Sequence, residues 1–213
     1  MRILLARHGE TPWNAEGRYQ GQIDIPLSDA GERQARLLGQ RLSDVSIDRA
    51  VASPLQRARR TAELALGDRA GMLSLVPGLS EIAHGTWEGK LAGEIAEQYP
   101  VQFQAWREAP QTVQMPEGES LKQVFTRVWP AFVTASEGLS TSQTLLVVAH
   151  DAVNRLILCH ILGIDFSQLW RFRQAPATLN LLEGPSAERL DVVRLNDCAH
   201  HTGLFGEAVH RAL

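Results

Sequence analysis

Apolar positions along this chain fall into two rhythms. Leu4 to Ala6 and Leu145 to Ala149 are short continuous apolar runs, the pattern of strands covered on both faces in a parallel sheet, and a histidine, His8 or His150, stands just beyond each. After the first run, Ala35, Leu38 and Leu42 recur at helical spacing, with Ser28 as a candidate N-cap. Arg49 to Ala52 reads as a second strand. Ser53 and Pro54 supply an N-cap and a proline at the first helical position, which predicts a helix running through Leu66. Leu73 to Val76 suggests a third strand. Leu121, Val124, Val128, Phe132 and Ala135 mark a later helix, in which Pro130 should cost one intrahelical bond and introduce a kink. Thr178 to Leu182 and Arg189 to Leu195 are two further strand candidates, ahead of a polar tail from Asn196 to Leu213.

This alternation predicts an α/β fold: a doubly wound, mostly parallel sheet flanked by helices on both faces. Sites in such sheets form beyond the carboxyl ends of strands, where His8, Ser53 and His150 fall. Residues 1–213 are expected to be one domain. Within it, 91–114 is irregular helical material, broken at Tyr99-Pro100 and Ala109-Pro110, and suits a lid insertion over the sheet edge.

Composition narrows the function classes. Hydrophobic residues are 44% and charged residues 21% of the chain, which fits a soluble globular protein and argues against disorder. With a net charge of -3 and no basic stripe with interleaved aromatics, nucleic acid is not an expected partner. The longest apolar runs fall far short of the roughly 20 residues of a membrane span. The N-terminal Met1 to His8 reads as a strand without a signal-peptide cleavage site, so a cytoplasmic protein is expected. Two cysteines, Cys159 and Cys198, are too few for a disulfide framework or a thiolate metal site. Adjacent His200 and His201 rarely converge on one ion, and no carboxylate or cysteine ladder accompanies them, so no metal is expected. Trp106, Trp129 and Trp170 read as packing anchors.

The chemistry-bearing residues form an ordered series. Arg7-His8-Gly9-Glu10-Thr11 follows the first strand. Ser53-Pro54-Leu55-Gln56-Arg57-Ala58 comes next with Thr61-Ala62, then Leu79-Ser80-Glu81 ahead of Gly85, then Val148-Ala149-His150. In this order the series resembles the histidine phosphatase (phosphoglycerate mutase-like) superfamily. The resemblance implies that His8 is a nucleophile that is transiently phosphorylated, and that Asn14, Gln20 and Gly21 help hold the phosphate or adjacent substrate atoms. Physical chemistry runs the same way. Attack on phosphorus needs a neutral imidazole, and the charges of Arg7 and Arg57 should depress the His8 pKa. Arg7, Arg57 and His150 can surround the equatorial oxygens, and two guanidinium forks are a credible replacement for a bound Mg²⁺, so no cofactor is expected. Glu81, beside the phosphate, should have a raised pKa and can protonate the leaving oxygen, then activate water. The residue after the second histidine is commonly glycine in this superfamily, whereas here it is Asp151. Its carboxylate is expected to point away from the phosphate and to cap the following helix, although its role stays open.

The blocks Glu81-Ile82-Ala83-His84-Gly85-Thr86-Trp87, Pro116 to Leu121, Leu162 to Asp165 and Leu195-Asn196-Asp197 with His200 look similar to bacterial metal-independent phosphoserine phosphatases. That similarity implies a homodimer acting on a small phosphorylated metabolite, in which His84 and the C-terminal tail recognise the amino-acid part of phosphoserine. A lone loop histidine is as often a polar surface residue. Cofactor-dependent phosphoglycerate mutase shares the motifs but carries a longer segment between the glutamate and the second histidine; the short one here should let water reach a phosphorylated His8 and favour hydrolysis. Phosphatases for α-ribazole phosphate or sugar phosphates remain alternatives. A catalytically dead module that senses a phosphorylated ligand is disfavoured, because a binder needs neither a nucleophile nor an acid.

Overall fold

The computed structural model describes residues 1–203. Among these residues six strands form one sheet, in the order β3 (Leu73–Leu75), β2 (Arg49–Ala52), β4 (Thr144–Ala149), β1 (Arg2–Arg7), β5 (Leu179–Ser186), β6 (Arg189–Asp197). β1, β4, β2 and β3 run parallel; β5 returns antiparallel against β1 and pairs with β6. The expected mostly parallel, doubly wound sheet is therefore present, with an antiparallel edge.

The central strands are apolar on both faces because both are covered. Leu4, Ala6, Ala50, Ala52, Leu146 and Val148 pack under α2 (Asp29–Arg41) and α3 (Gln56–Leu66). On the other face Ile3, Leu5, Val51, Leu145 and Val147 meet α6 (Leu121–Ser136) and α7 (Asp151–Leu162). The chain leaves β1 toward β2 and leaves β4 toward β5, in opposite directions across the sheet, so the crevice at their carboxyl ends is the switch point of this topology.

Local signals explain most boundaries. Ser28 Oγ accepts from Gly31 N at 3.1 Å and caps α2 as expected. Helix α3 departs from expectation: it starts at Gln56, and Ser53 Oγ accepts only from Leu55 N at 3.3 Å. Its first amide is served from outside, Gln56 N donating to Asp24 Oδ1 at 2.7 Å. Helix α6 continues through Pro130, whose missing N–H it tolerates because Val124, Val128 and Phe132 are fully buried. The 91–114 segment folds as α4 (Ala92–Gln98), α5 (Pro100–Glu108) and a 3-10 turn from Pro110, with both prolines at the breaks. No helix among the described residues is long and apolar enough to cross a membrane.

Candidate active site

The parallel register pairs Arg7 with Ala149, so the residues that follow, His8 and His150, stand side by side with ring centroids 5.2 Å apart. His8 is buried. Its Nδ1 lies 2.7 Å from Gly9 O, and because a carbonyl oxygen can only accept, Nδ1 carries the hydrogen and Nε2 carries the lone pair. The ring that lines the cleft is thus in the tautomer a nucleophile requires.

Two guanidinium groups flank it. Arg57, in the first turn of α3, is fully buried; its Nη2 donates to Gly21 O at 2.6 Å and its Nη1 to Ile23 O at 2.9 Å, while Nε has no hydrogen-bond partner among the described residues. Among the described residues no carboxylate comes within ion-pair distance of it. Burial lowers its pKa to about 10, against the opposing pull of Glu81 and Asp24. Arg7 donates through Nη1 to Gln174 O, lies 3.3 Å from Asp151 Oδ1, and also has an unpartnered Nε. Buried cations with spare donors are costly until an anion arrives. Asn14, in the short helix α1 (Pro12–Glu16), adds a third donor. Thr11 N donates to Asn14 Oδ1 at 3.0 Å, which fixes the flip of the amide and leaves Nδ2 without a partner on the cleft wall. Gln20 and Gly21 are also on that wall; Gln20 Oε1 is unpartnered among the described residues, and the Gly21 carbonyl holds Arg57. Gly21 has φ +54°, and a Cβ there would meet Glu88 Oε1 at 2.0 Å.

Glu81 reaches the cleft from the loop after the 3-10 turn Pro77–Leu79. Its Oε1 accepts from Ile82 N at 3.0 Å and its Oε2 from Ala152 N at 3.4 Å. Burial, then the charge of Asp151, raise its pKa, overcoming the Ile82 amide and the two arginines, so the carboxyl is biased toward its protonated form. His150 is fully buried and does not itself line the open cleft. Burial, then Arg57, His8 and Arg7, push its pKa well below the ordinary value, and it is neutral. The His8 imidazole, three spare donors from Arg7, Arg57 and Asn14, and the Glu81 carboxyl therefore line one cleft.

The family model described as "Histidine phosphatase superfamily (branch 1)" matches residues 3–198. The chain belongs to the histidine phosphatase superfamily. It is 36% identical over 214 residues, covering 100% of both chains, to "Phosphoserine phosphatase 1" of Hydrogenobacter thermophilus. It is 37% identical over 177 residues, 81% of this chain and 85% of the relative, to the adenosylcobalamin/alpha-ribazole phosphatase of Salmonella typhimurium. Among solved structures, Bacillus stearothermophilus YhfR superposes with a TM-score of 0.85 at 31% identity, over 93% of this chain and 98% of that one.

In this histidine phosphatase the far wall of the cleft is aromatic. Tyr19, His84, Trp106 and Trp170 line it, with His84 edge-on to Tyr19 at 5.0 Å and to Trp106 at 5.8 Å. His84 is buried rather than a surface residue, and burial lowers its pKa to about 3, so it is neutral. Trp106 and Trp170 pack on each other as expected of anchors, centroids 5.2 Å apart, but also face the cleft; Trp129 stacks away from it, on Phe125 and Phe132. The cleft is open to solvent at its mouth.

Asp151 corrects an expectation. It occupies the first position of α7 rather than its cap, and its carboxylate lies on the cleft wall beside Arg7. Repulsion of a bound phosphate is tempered because Oδ2 also accepts from Arg155 Nε at 3.0 Å. Sequence reasoning missed Arg155, although its spacing of four residues from Asp151 on one helix was a usable signal. It also missed Arg18 and Tyr19 as lining residues, and Gln174 as the carbonyl that seats Arg7. His200 and His201 sit edge to face at 4.6 Å, and among the described residues no group of three His, Cys, Asp or Glu side chains is placed to hold a metal ion. The expected substrate-binding tail lies partly outside the described residues, from 204 onward.

Proposed function

We propose that this histidine phosphatase hydrolyses L-phosphoserine through a phosphohistidine at His8, without a metal ion. The observation that carries the reading is the pair of buried guanidiniums with unpartnered Nε atoms flanking an imidazole whose tautomer is set by Gly9. His8 Nε2 attacks phosphorus, the bond to the ester oxygen breaks, and protonated Glu81 gives its proton to that oxygen. Water then attacks the phosphohistidine, Glu81 takes its proton, and phosphate leaves with His8 restored. Arg7, Arg57 and Asn14 hold the equatorial oxygens as charge spreads over them, and neutral His150, buried against the His8 ring with neither ring nitrogen partnered among the described residues, supplies a further N–H from behind the cleft surface. Gln20, Gly21, His84 and Asp151 shape the substrate side.

Phosphoserine is favoured over α-ribazole phosphate because the phosphoserine phosphatase relative aligns over the full length of the chain, tail included. In this reading residues 1–213 act as one domain, 91–114 cap the cleft, and two copies form a homodimer, which light scattering in solution checks. The deciding experiment is kcat/KM for L-phosphoserine in excess EDTA, with His8→Ala as the blank and 3-phosphoglycerate mutase activity measured alongside. EDTA-resistant phosphate release that vanishes in His8→Ala supports the reading. Fast mutase activity with slow phosphoserine turnover defeats the substrate assignment, and inactivity toward both redirects it to other small phosphomonoesters.

A further inference from the structure

Glu81 sits on no helix or strand. β3 ends at Leu75, and two 3-10 turns, Pro77–Leu79 and Gly85–Trp87, bracket the glutamate. The carboxyl itself accepts from Ile82 N and Ala152 N, but no strand or helix ladder holds the backbone that carries it, so tertiary contacts must fix the loop. They are made by Arg127, from α6, which uses all five guanidinium hydrogens. Nη1 donates to Gly78 O at 3.0 Å and to Ser80 O at 2.6 Å. Nη2 donates to Glu81 O at 2.9 Å and to Glu119 Oε2 at 2.8 Å, and Nε donates to Glu119 Oε1 at 2.8 Å.

Glu119 closes the loop from the other side. Its Oε2 also accepts from Ala83 N at 2.9 Å, so the backbone is pinned before, at and after Glu81 by one bidentate ion pair. Gly78 lets α6 come this close: a Cβ there would stand 2.6 Å from the Ala131 Cβ and 3.0 Å from Arg127 O. Arg127 does not line the cleft, and it meets Glu81 through the backbone carbonyl rather than the carboxyl.

We propose that Arg127, backed by Glu119, is a positioning residue that holds the Glu81 carboxyl where it meets the leaving oxygen. This rests on the phosphohistidine reading above. A lysine cannot reproduce it, because an ammonium lacks the planar fork that spans three carbonyls and a carboxylate at once.

The test separates acid catalysis from general loosening. An alkyl phosphate such as L-phosphoserine expels an alkoxide that needs a proton, whereas p-nitrophenyl phosphate expels a stabilised phenolate that does not. kcat/KM reports only the steps through phosphorylation of His8, so it isolates the proton donation. Arg127→Lys, which keeps the charge, and Arg127→Met should each lower kcat/KM for the alkyl ester by at least about tenfold while leaving the aryl ester within about threefold. Equal losses on both substrates, or no loss on either, would overturn the proposal. Should Arg127→Met fail to fold, Arg127→Lys decides alone, and if it also fails, Glu119→Gln, which weakens the same clamp, must reproduce the selective loss. Absence of acid-labile label on His8 in the unsubstituted enzyme with both substrates would instead sink the underlying reading.

Discussion

Replacing Arg57 by methionine should separate function from stability. Burial holds this guanidinium down to about 10, which disfavours its charged form in the folded protein by on the order of 3 kcal/mol. The sign matters: a cation whose folded pKa is depressed weakens the fold at neutral pH, and the penalty fades only as pH rises through about 10. Methionine removes that penalty but leaves the carbonyls of Gly21 and Ile23 without their donor, at about 1–3 kcal/mol for each buried acceptor. The opposing amounts largely cancel, so the free energy of urea unfolding should change by no more than about 3 kcal/mol. Activity should not survive. One charge-assisted hydrogen bond is worth about 1.5–3 kcal/mol, and a unit charge about 4 Å away contributes up to about 4 kcal/mol at an effective dielectric of about 20. A fall in kcat/KM of about 10²- to 10³-fold follows. Inorganic phosphate should raise the unfolding midpoint of the unsubstituted enzyme and not that of Arg57→Met. A loss of more than about 4 kcal/mol of stability with activity retained would show that Arg57 supports the fold and that the anion reasoning is wrong.

Three further outcomes follow from the site. Because the Glu81 pKa is raised, kcat/KM for an alkyl phosphate should decline as pH climbs through a value above the usual carboxylate range, and Glu81→Gln should lose about 10²-fold together with that alkaline limb. Buried His84 is neutral with a pKa of about 3, while the unfolded chain protonates below about 6.5, so it withdraws stability as pH falls across that window; His84→Phe should unfold less readily in acid, as read by circular dichroism between pH 6.5 and 4. Asp151→Asn frees Arg7 but takes the charged partner from Arg155, so KM should fall while the thermal midpoint also falls, by an amount equivalent to about 1–3 kcal/mol; an unchanged KM would argue that Asp151 does not compete with phosphate for Arg7.

The fold was legible where a local rule had no competitor. Arg49–Ala52 forms a strand over the expected residues, and the runs ending near His8 and His150 became the paired central strands, because continuous apolar residues in short runs have no stable place but a doubly covered sheet. Ser28 caps α2 because its amide partner is three residues away. Ser53 failed at the same task because a carboxylate from a distant loop, Asp24, took the helix terminus. No window of local sequence contains that competition. His84 shows the same limit from another side: its neighbours in sequence are loop residues, but its neighbours in space are Tyr19 and Trp106.

By itself the sequence determined the alternation of elements, the strand ends that carry His8 and His150, and the set of residue types able to move a phosphoryl group, since each depends on spacing or on side-chain chemistry carried along the chain. Only the tertiary structure decided how those groups behave. Burial makes His84 neutral and raises the Glu81 pKa, a carbonyl at Gly9 selects the His8 tautomer, Asp151 turns to Arg7 and Arg155, and Arg127 pins the Glu81 loop. The reason is physical: solvation, charge and hydrogen-bond geometry act through space over a few ångströms, between residues far apart in the chain, 144 positions in the case of Arg7 and Asp151.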